Sequence, residues 1–187
     1  EGETTDTASS GAIGASSVTG FGIAAGGGVI YNGFEDLTLA LGSKNDTLFI
    51  DNTHTGTTRV IMGDETAVTN TVNDRIIVRG TRGPTIIDAG TGNDEFRVNY
   101  LADGYTQTFQ NNIAGELTLH GQNGGDLYYI ALASQGSSRI NVDDQPTTVG
   151  DSGVDLMSVY GTNRDDTFFF RPSTISAVAY DANGVRT

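Results

Sequence analysis

The chain has 187 residues, a net charge of -13 at pH 7, 26 glycines and no cysteine. The missing thiols exclude disulfides, thiolate nucleophiles and thiolate metal sites. Lys44 is the single lysine, so nucleic acid and anionic membrane, which both need a basic surface, are poor partners.

Aspartate outnumbers glutamate 17 to 6. Asp and Asn favour turns and oxygen-ligand sites, whereas Glu favours helix surfaces, so the acidity is positional and a divalent cation is its natural counterweight. Gly, Thr and Asn abound and no helix-period stretch of useful length occurs, which predicts a nearly all-β chain. No apolar run reaches the roughly 18 residues of a membrane-spanning helix, and membrane insertion is not expected.

In chain order, residues 1–30 are rich in Gly, Ser, Ala and Thr. They read either as a linker or as an irregular edge strand through Ile13 to Phe21, with a joint at Gly26-Gly27-Gly28. Residues 31–187 form a repeat domain, read as a segment of a longer chain or assembly. Its first strands are predicted at Leu37 to Leu41, Thr58 to Met62, Thr85 to Ala89, Glu116 to His120 and Arg139 to Val142. Second strands each follow an aspartate that has large apolar residues two and four positions later. Asp46 leads Leu48 and Ile50, Asp74 leads Ile76 and Val78, and Asp94 leads Phe96 and Val98. Asp126 leads Tyr128 and Ile130, Asp155 leads Met157 and Val159, and Asp166 leads Phe168 and Phe170. Period two marks one face of a strand. Loops at Asn99 to Ala114, Ser134 to Ser138 and Asp143 to Ser152 absorb the uneven spacing. A last strand at Ala177 to Tyr180 runs into a turn at Asp181 to Gly184. Neither end shows a helical or polar cap, which favours a segment of a long fibre-like protein.

The turns before five of these aspartates carry glycine one to five residues ahead, whereas Asp74 follows Asn73 with no glycine nearby. Examples are Gly90-Thr91-Gly92-Asn93-Asp94, Gly121-Gln122-Asn123-Gly124-Gly125-Asp126 and Gly150-Asp151-Ser152-Gly153-Val154-Asp155. Gly161 stands five residues before Asp166 and Gly42 four before Asp46. This layout resembles the calcium-binding repeat-in-toxin (RTX-like) repeats of large secreted or surface proteins, over roughly residues 31–171. The resemblance implies a parallel β-solenoid, a β-roll or right-handed β-helix of about five two-strand rungs with inserted loops. It implies Ca²⁺ in the turns, held by Asp94, Asp126, Asp155, Asp46, Asp166 and Asp74, with Asn93, Asn45 and Asn123 as neutral oxygen ligands. The competing reading needs no metal: an Asp at a turn accepts backbone N–H groups and holds the corner alone.

The expected function is a calcium-stabilised structural module of an extracellular surface protein, adhesin or filament. It would self-associate or pack on neighbouring repeats, possess no catalytic site, and be able to meet surface glycans. One alternative is a calcium-dependent polysaccharide lyase or epimerase, with Arg75, Arg79, Arg97 or Arg139 as candidate base. Another is a glycan- or ice-binding module built on Thr53, Thr55, Thr57 and Thr58. His54 and His120 read as surface residues, and Asp143-Asp144, Asp165-Asp166 and Asp64-Glu65 as solvated loop positions. Asn45-Asp46-Thr47 is a glycosylation sequon overlapping a proposed calcium turn. Tyr129 and Phe169 face outward and need cover from a loop of the same chain or from a neighbouring subunit.

Overall fold

A computed structural model describes residues 8–63, 73–101, 103–108, 112–132, 138–144, 153–171 and 174–179, with 169–171 and 174–179 as backbone alone. The pair Asp64-Glu65, the turn at Asp181 to Gly184, Gly150 to Ser152, most of the loop at Ser134 to Ser138 and the Phe169 side chain lie outside the described residues.

Every regular element among the described residues is a strand. In chain order these are β1 Ser10–Ile13, β2 Ser17–Gly20, β3 Val29–Ile30, β4 Asp36–Ala40, β5 Thr47–Ile50, β6 Thr57–Ile61, β7 Arg75–Val78 and β8 Thr85–Thr91. They continue as β9 Glu95–Val98, β10 Leu117–Asn123, β11 Leu127–Ala131, β12 Ile140–Val142, β13 Leu156–Tyr160, β14 Asp166–Arg171 and β15 Thr174–Ala179. All six strands expected after an aspartate form, and so do all five first strands.

From β4 to β13 successive strands alternate between two sheets. The smaller has five strands in the order β12-β10-β8-β6-β4, all parallel. The larger has eight, in the order β13-β11-β9-β7-β5-β1-β2-β3. It is parallel from β13 to β1, and antiparallel through β2 and β3. Strands β14 and β15 pair antiparallel in a sheet of their own.

Alternation decides which side chains meet. In the larger sheet the register stacks Leu48, Ile76, Phe96, Tyr128 and Met157 in one row, and Ile50, Val78, Val98, Ile130 and Val159 in the next. The smaller sheet contributes Leu39, Val60, Ile87, Leu119 and Val142. Residues from both sheets form one core cluster. Phe96 and Tyr128 stack face to face within it, centroids 5.0 Å apart and 4° from parallel. Each such fully buried apolar side chain contributes about 2 kcal/mol, and a slip of one residue would turn every row to water.

The solenoid of about five two-strand rungs is corrected by this topology to two mostly parallel sheets of eight and five strands, with antiparallel additions and a separate hairpin. Two local causes are visible. The turn at Gly14 to Ser17 sends β2 back against β1, and β3 in turn pairs antiparallel with β2, so the larger sheet ends in antiparallel strands at this side. Consecutive aspartates from Asp46 to Asp155 are 20 to 32 residues apart, but only 11 separate Asp155 from Asp166. Eleven residues leave no room for a strand in the other sheet, and β14 turns onto β15 instead.

The outer face of the larger sheet is covered by the chain itself. Arg97 donates to the Gly104 carbonyl and lies 4.3 Å from the Tyr105 ring centre and 5.7 Å from that of Tyr129. Ile77, Tyr100 and Ala131 form a small second cluster with Phe49 and Tyr129. Tyr129 is thus packed against Tyr100 and Arg97 of the same chain.

The acidic corner and a candidate metal centre

At the entry to the larger sheet the aspartates stack in one column. The Asp46 N–H donates to the Asp74 carboxylate at 2.6 Å, that of Asp74 to Asp94 at 2.9 Å, that of Asp94 to Asp126 at 2.8 Å, and that of Asp126 to Asp155 at 3.0 Å. Each bond uses Oδ1. Ser9 begins the column, its N–H and hydroxyl both donating to Asp46 at 2.8 Å. Parallel strands place equivalent residues in line, so one acid per strand becomes a ladder. The acids are buried: Asp74, Asp94 and Asp126 are 0 % exposed and Asp46 4 %.

A second ladder runs beside it. Asn73 Oδ1 accepts from the Asn93 N–H at 3.0 Å, and Asn93 Oδ1 from the Gly125 N–H at 2.8 Å. Asn73 Nδ2 reaches Asn45 Oδ1 at 3.5 Å. The Gly92 N–H donates to the Asn123 carbonyl at 2.8 Å. Asn45 and Asn93 therefore spend their side-chain oxygens on neighbouring corners, and Asp46, Asp74 and Asp94 spend Oδ1 in the same way.

Glycine makes the stacking possible. Gly124 has φ of 135°, and a Cβ on it would overlap the Gly92 carbonyl oxygen. Gly153 stands in the same relation to Gly124. At the far end of the first strands, Gly56, Gly83 and Gly115 pack in the same way on the carbonyls of Glu35, Gly56 and Gly83.

One end of the acid column differs from the rest. Carboxylate oxygens of Asp126, Asp144 and Asp155 lie within 4.8 Å of one another. Asp126 is buried, Asp144 half-buried and Asp155 exposed. Strand β12 brings Asp144 in: its register beside β10 sets the Asp144 carbonyl to accept the Gln122 N–H at 2.6 Å. Tyr128 donates its hydroxyl to Asp144 at 2.8 Å. Asp126 Oδ2 and the Tyr128 hydroxyl both lie where a Cβ on residue 121 would sit, so only glycine fits there. Asp126 Oδ2 is buried without a hydrogen-bond partner, and so is Asp94 Oδ2.

Electrostatics follow from that packing. Burial pushes the Asp94 carboxyl up to about 6, against the lowering effect of the Asp74 amide. Burial pushes Asp126 up to about 8, and the charges of Asp94, Asp144 and Asp155 add to the rise while the Asp94 amide opposes it. Burial and the bond to Asp144 raise the Tyr128 hydroxyl, so it stays a proton donor. A cation among the three carboxylates would remove the cost of keeping Asp126 ionised. Three carboxylates, one with a buried unpartnered oxygen, fit a hard cation. The group can hold a metal ion.

Of the nine ligands expected from sequence, Asp126 and Asp155 are brought together at this centre. Asp46, Asp74 and Asp94 serve the ladder. Asp166 stands apart, accepting the Thr162 N–H at 2.6 Å and its hydroxyl at 3.0 Å. Asp144 was read as a solvated loop residue, and its place at the centre corrects that.

The other singled-out residues are engaged elsewhere. Asp88 lies 2.7 Å from both His120 Nδ1 and Arg59 on the outer face of the smaller sheet, so His120 is hydrogen-bonded to a buried carboxylate and is not a bland surface residue. His54 Nδ1 accepts from the Gly56 N–H at 3.1 Å, which leaves Nε2 to donate to the Thr57 carbonyl. Arg75 and Arg97 share Glu95, Arg79 pairs with Asp51, and Arg139 lies 3.8 Å from Glu116. Thr53 and Thr58 are fully buried, and Thr53 accepts the Arg82 N–H at 3.0 Å. The threonines therefore form no exposed array.

No protein-family model matches the chain, and no curated protein or solved structure matches it either.

Proposed function

We propose that the chain is a structural module that binds Ca²⁺ through Asp126, Asp144 and Asp155, with the ion fixing the corner where β10 and β12 end and β11 and β13 begin. The observation that carries this reading is the buried, unpartnered Asp126 Oδ2 in a group of three carboxylates with no nitrogen or sulfur donor among them. Ca²⁺ takes six to eight oxygens at about 2.3–2.6 Å and accepts irregular shells, which suits acids drawn from three separate turns. Several of their oxygens already accept protein hydrogen bonds, so water completes the shell and the affinity falls in the range of extracellular modules, about 10⁻⁴–10⁻³ M. We place the module outside the cell or on its surface, where millimolar calcium fills a site of that strength. The ion's binding free energy adds to folding free energy.

Titration calorimetry with CaCl₂, paired with thermal melting in Ca²⁺ and in EGTA, tests this. Wild type binds one ion and melts higher in millimolar Ca²⁺, and Asp144→Asn loses both effects while keeping its β-sheet circular dichroism. Identical melting in Ca²⁺ and EGTA would remove the metal from the function.

A further inference from the structure

We propose that the open edge of β13 receives strand β14 of a second copy of this chain, in parallel register, with that copy's Asp166 carboxylate accepting the Asp155 N–H. The proposal does not depend on the metal.

The column of aspartates supplies the first observation. Four times in succession the N–H of one aspartate donates to the Oδ1 of the aspartate on the next strand. Asp155 is the last of the row, and its N–H has no partner among the described residues. The core supplies the second. In the row Leu48, Ile76, Phe96, Tyr128, Met157, the first four are at most 2 % exposed, whereas Met157 is 46 % exposed. Val154 and Leu156 beside it are 84 % and 50 % exposed. At its opposite end the same sheet runs out through the antiparallel β2 and the two-residue β3. Among the described residues, β13 thus presents an unpaired strand edge and an exposed apolar row, which is the arrangement that accepts an added strand.

The chain carries a matching occupant. Strand β14 has the same pattern as the strands already in the row, an aspartate with apolar residues two and four positions on. Its entry turn is built like that of β11. A Cβ on Gly161 would overlap Asp166 Oδ2 and crowd Phe168, as one on Gly121 would overlap Asp126 Oδ2 and the Tyr128 hydroxyl. Among the described residues β14 pairs with β15 alone, on one side. Within one chain it cannot stack on β13, because only 11 residues separate the two aspartates where in-register neighbours are 20 to 32 apart. A second copy is free of that limit. Asp166 now accepts two bonds from Thr162, and a carboxylate has about four acceptor positions, so capacity remains for the Asp155 amide.

Placing Asp166 opposite Asp155 puts Phe168 opposite Met157. The chain has no cysteine, so two single-cysteine proteins, Met157→Cys and Phe168→Cys, can be mixed and oxidised, in EGTA and again in Ca²⁺. The expected product in both buffers is the mixed disulfide, enriched severalfold over either symmetric one, with circular dichroism matching wild type. A statistical mixture, no crosslink, or dominance of the Met157→Cys symmetric product (two β13 edges meeting each other) would overturn the proposal. Met157→Pro provides a second arm. The Leu156 N–H faces β11, so that of residue 157 faces the open edge, and proline there removes a donor without touching the internal ladder. Wild type shifts from monomer towards dimer or larger species as concentration rises in sedimentation velocity, and Met157→Pro stays monomeric. Equal association of the two proteins counts against the edge.

Discussion

Asp94 shows what the buried acids do. Its Oδ1 holds the Asp74 amide and its Oδ2 is buried without a partner. Asp94→Asn keeps the acceptor and removes a buried charge, so in chelator at pH 8 it melts at or above wild type. Asp94→Ala leaves the Asp74 N–H buried and unsatisfied, at a cost of about 1–3 kcal/mol. Urea unfolding of the two variants separates the roles of charge and acceptor. The pH response has a definite sign. The folded carboxyls of Asp94 and Asp126 sit at about 6 and about 8, above the ordinary aspartate value of about 4 in the unfolded chain. The folded state therefore binds protons more tightly, and metal-free stability is highest below about pH 4 as far as these two groups decide it. It falls as pH rises through about 6 and then about 8. Other carboxylates pull the opposite way at low pH, so unfolding in EGTA between pH 5 and pH 8 is the informative window. Stability rising across it would contradict the burial of the column.

At the scale of elements, glycine stacking fixes how closely corners approach. Gly124→Ala forces a Cβ onto the Gly92 carbonyl at a positive φ and is expected to cost about 2–4 kcal/mol in a chemical melt. The same substitution at Gly26 meets nothing within 4 Å and costs only the strain of its φ of 82°, about 1 kcal/mol. The strands themselves were legible in the sequence because period-two apolar residues and a leading aspartate mark each one. What the aspartates bind was not legible, because a metal ion and a backbone amide ask for the same residue in the same turn. The register adds what the sequence lacks: it sets one oxygen of Asp46, Asp74 and Asp94 against a neighbouring amide. Asp144 was hidden for a related reason. Asp143-Asp144 follows a three-residue strand and looks like a loop, until pairing with β10 sets it beside Gly121. A glycine five residues before Asp126 was the available sign that something large sits opposite.

The whole molecule is asymmetric along its sheets. One end of the larger sheet finishes in antiparallel strands, and the other carries the three-acid centre, the exposed Met157 and, among the described residues, an unpaired edge. Residues 10–30 hold β1, β2 and β3, and nothing in their Gly/Ser-rich composition fixes the direction of pairing. Only the short turn between Ile13 and Val18 hints at reversal. The apolar rows stabilise the frame and the acids specify its register. Hydrogen exchange of the ladder amides, in EGTA and in saturating Ca²⁺, tests that division most directly. The amides of Asp46, Asp74 and Asp94 should be strongly protected and equally so in both buffers, while Gln122 and Asp126 gain protection only with Ca²⁺. Free exchange of all of them in EGTA, or a calcium effect spread evenly along the column, would contradict it.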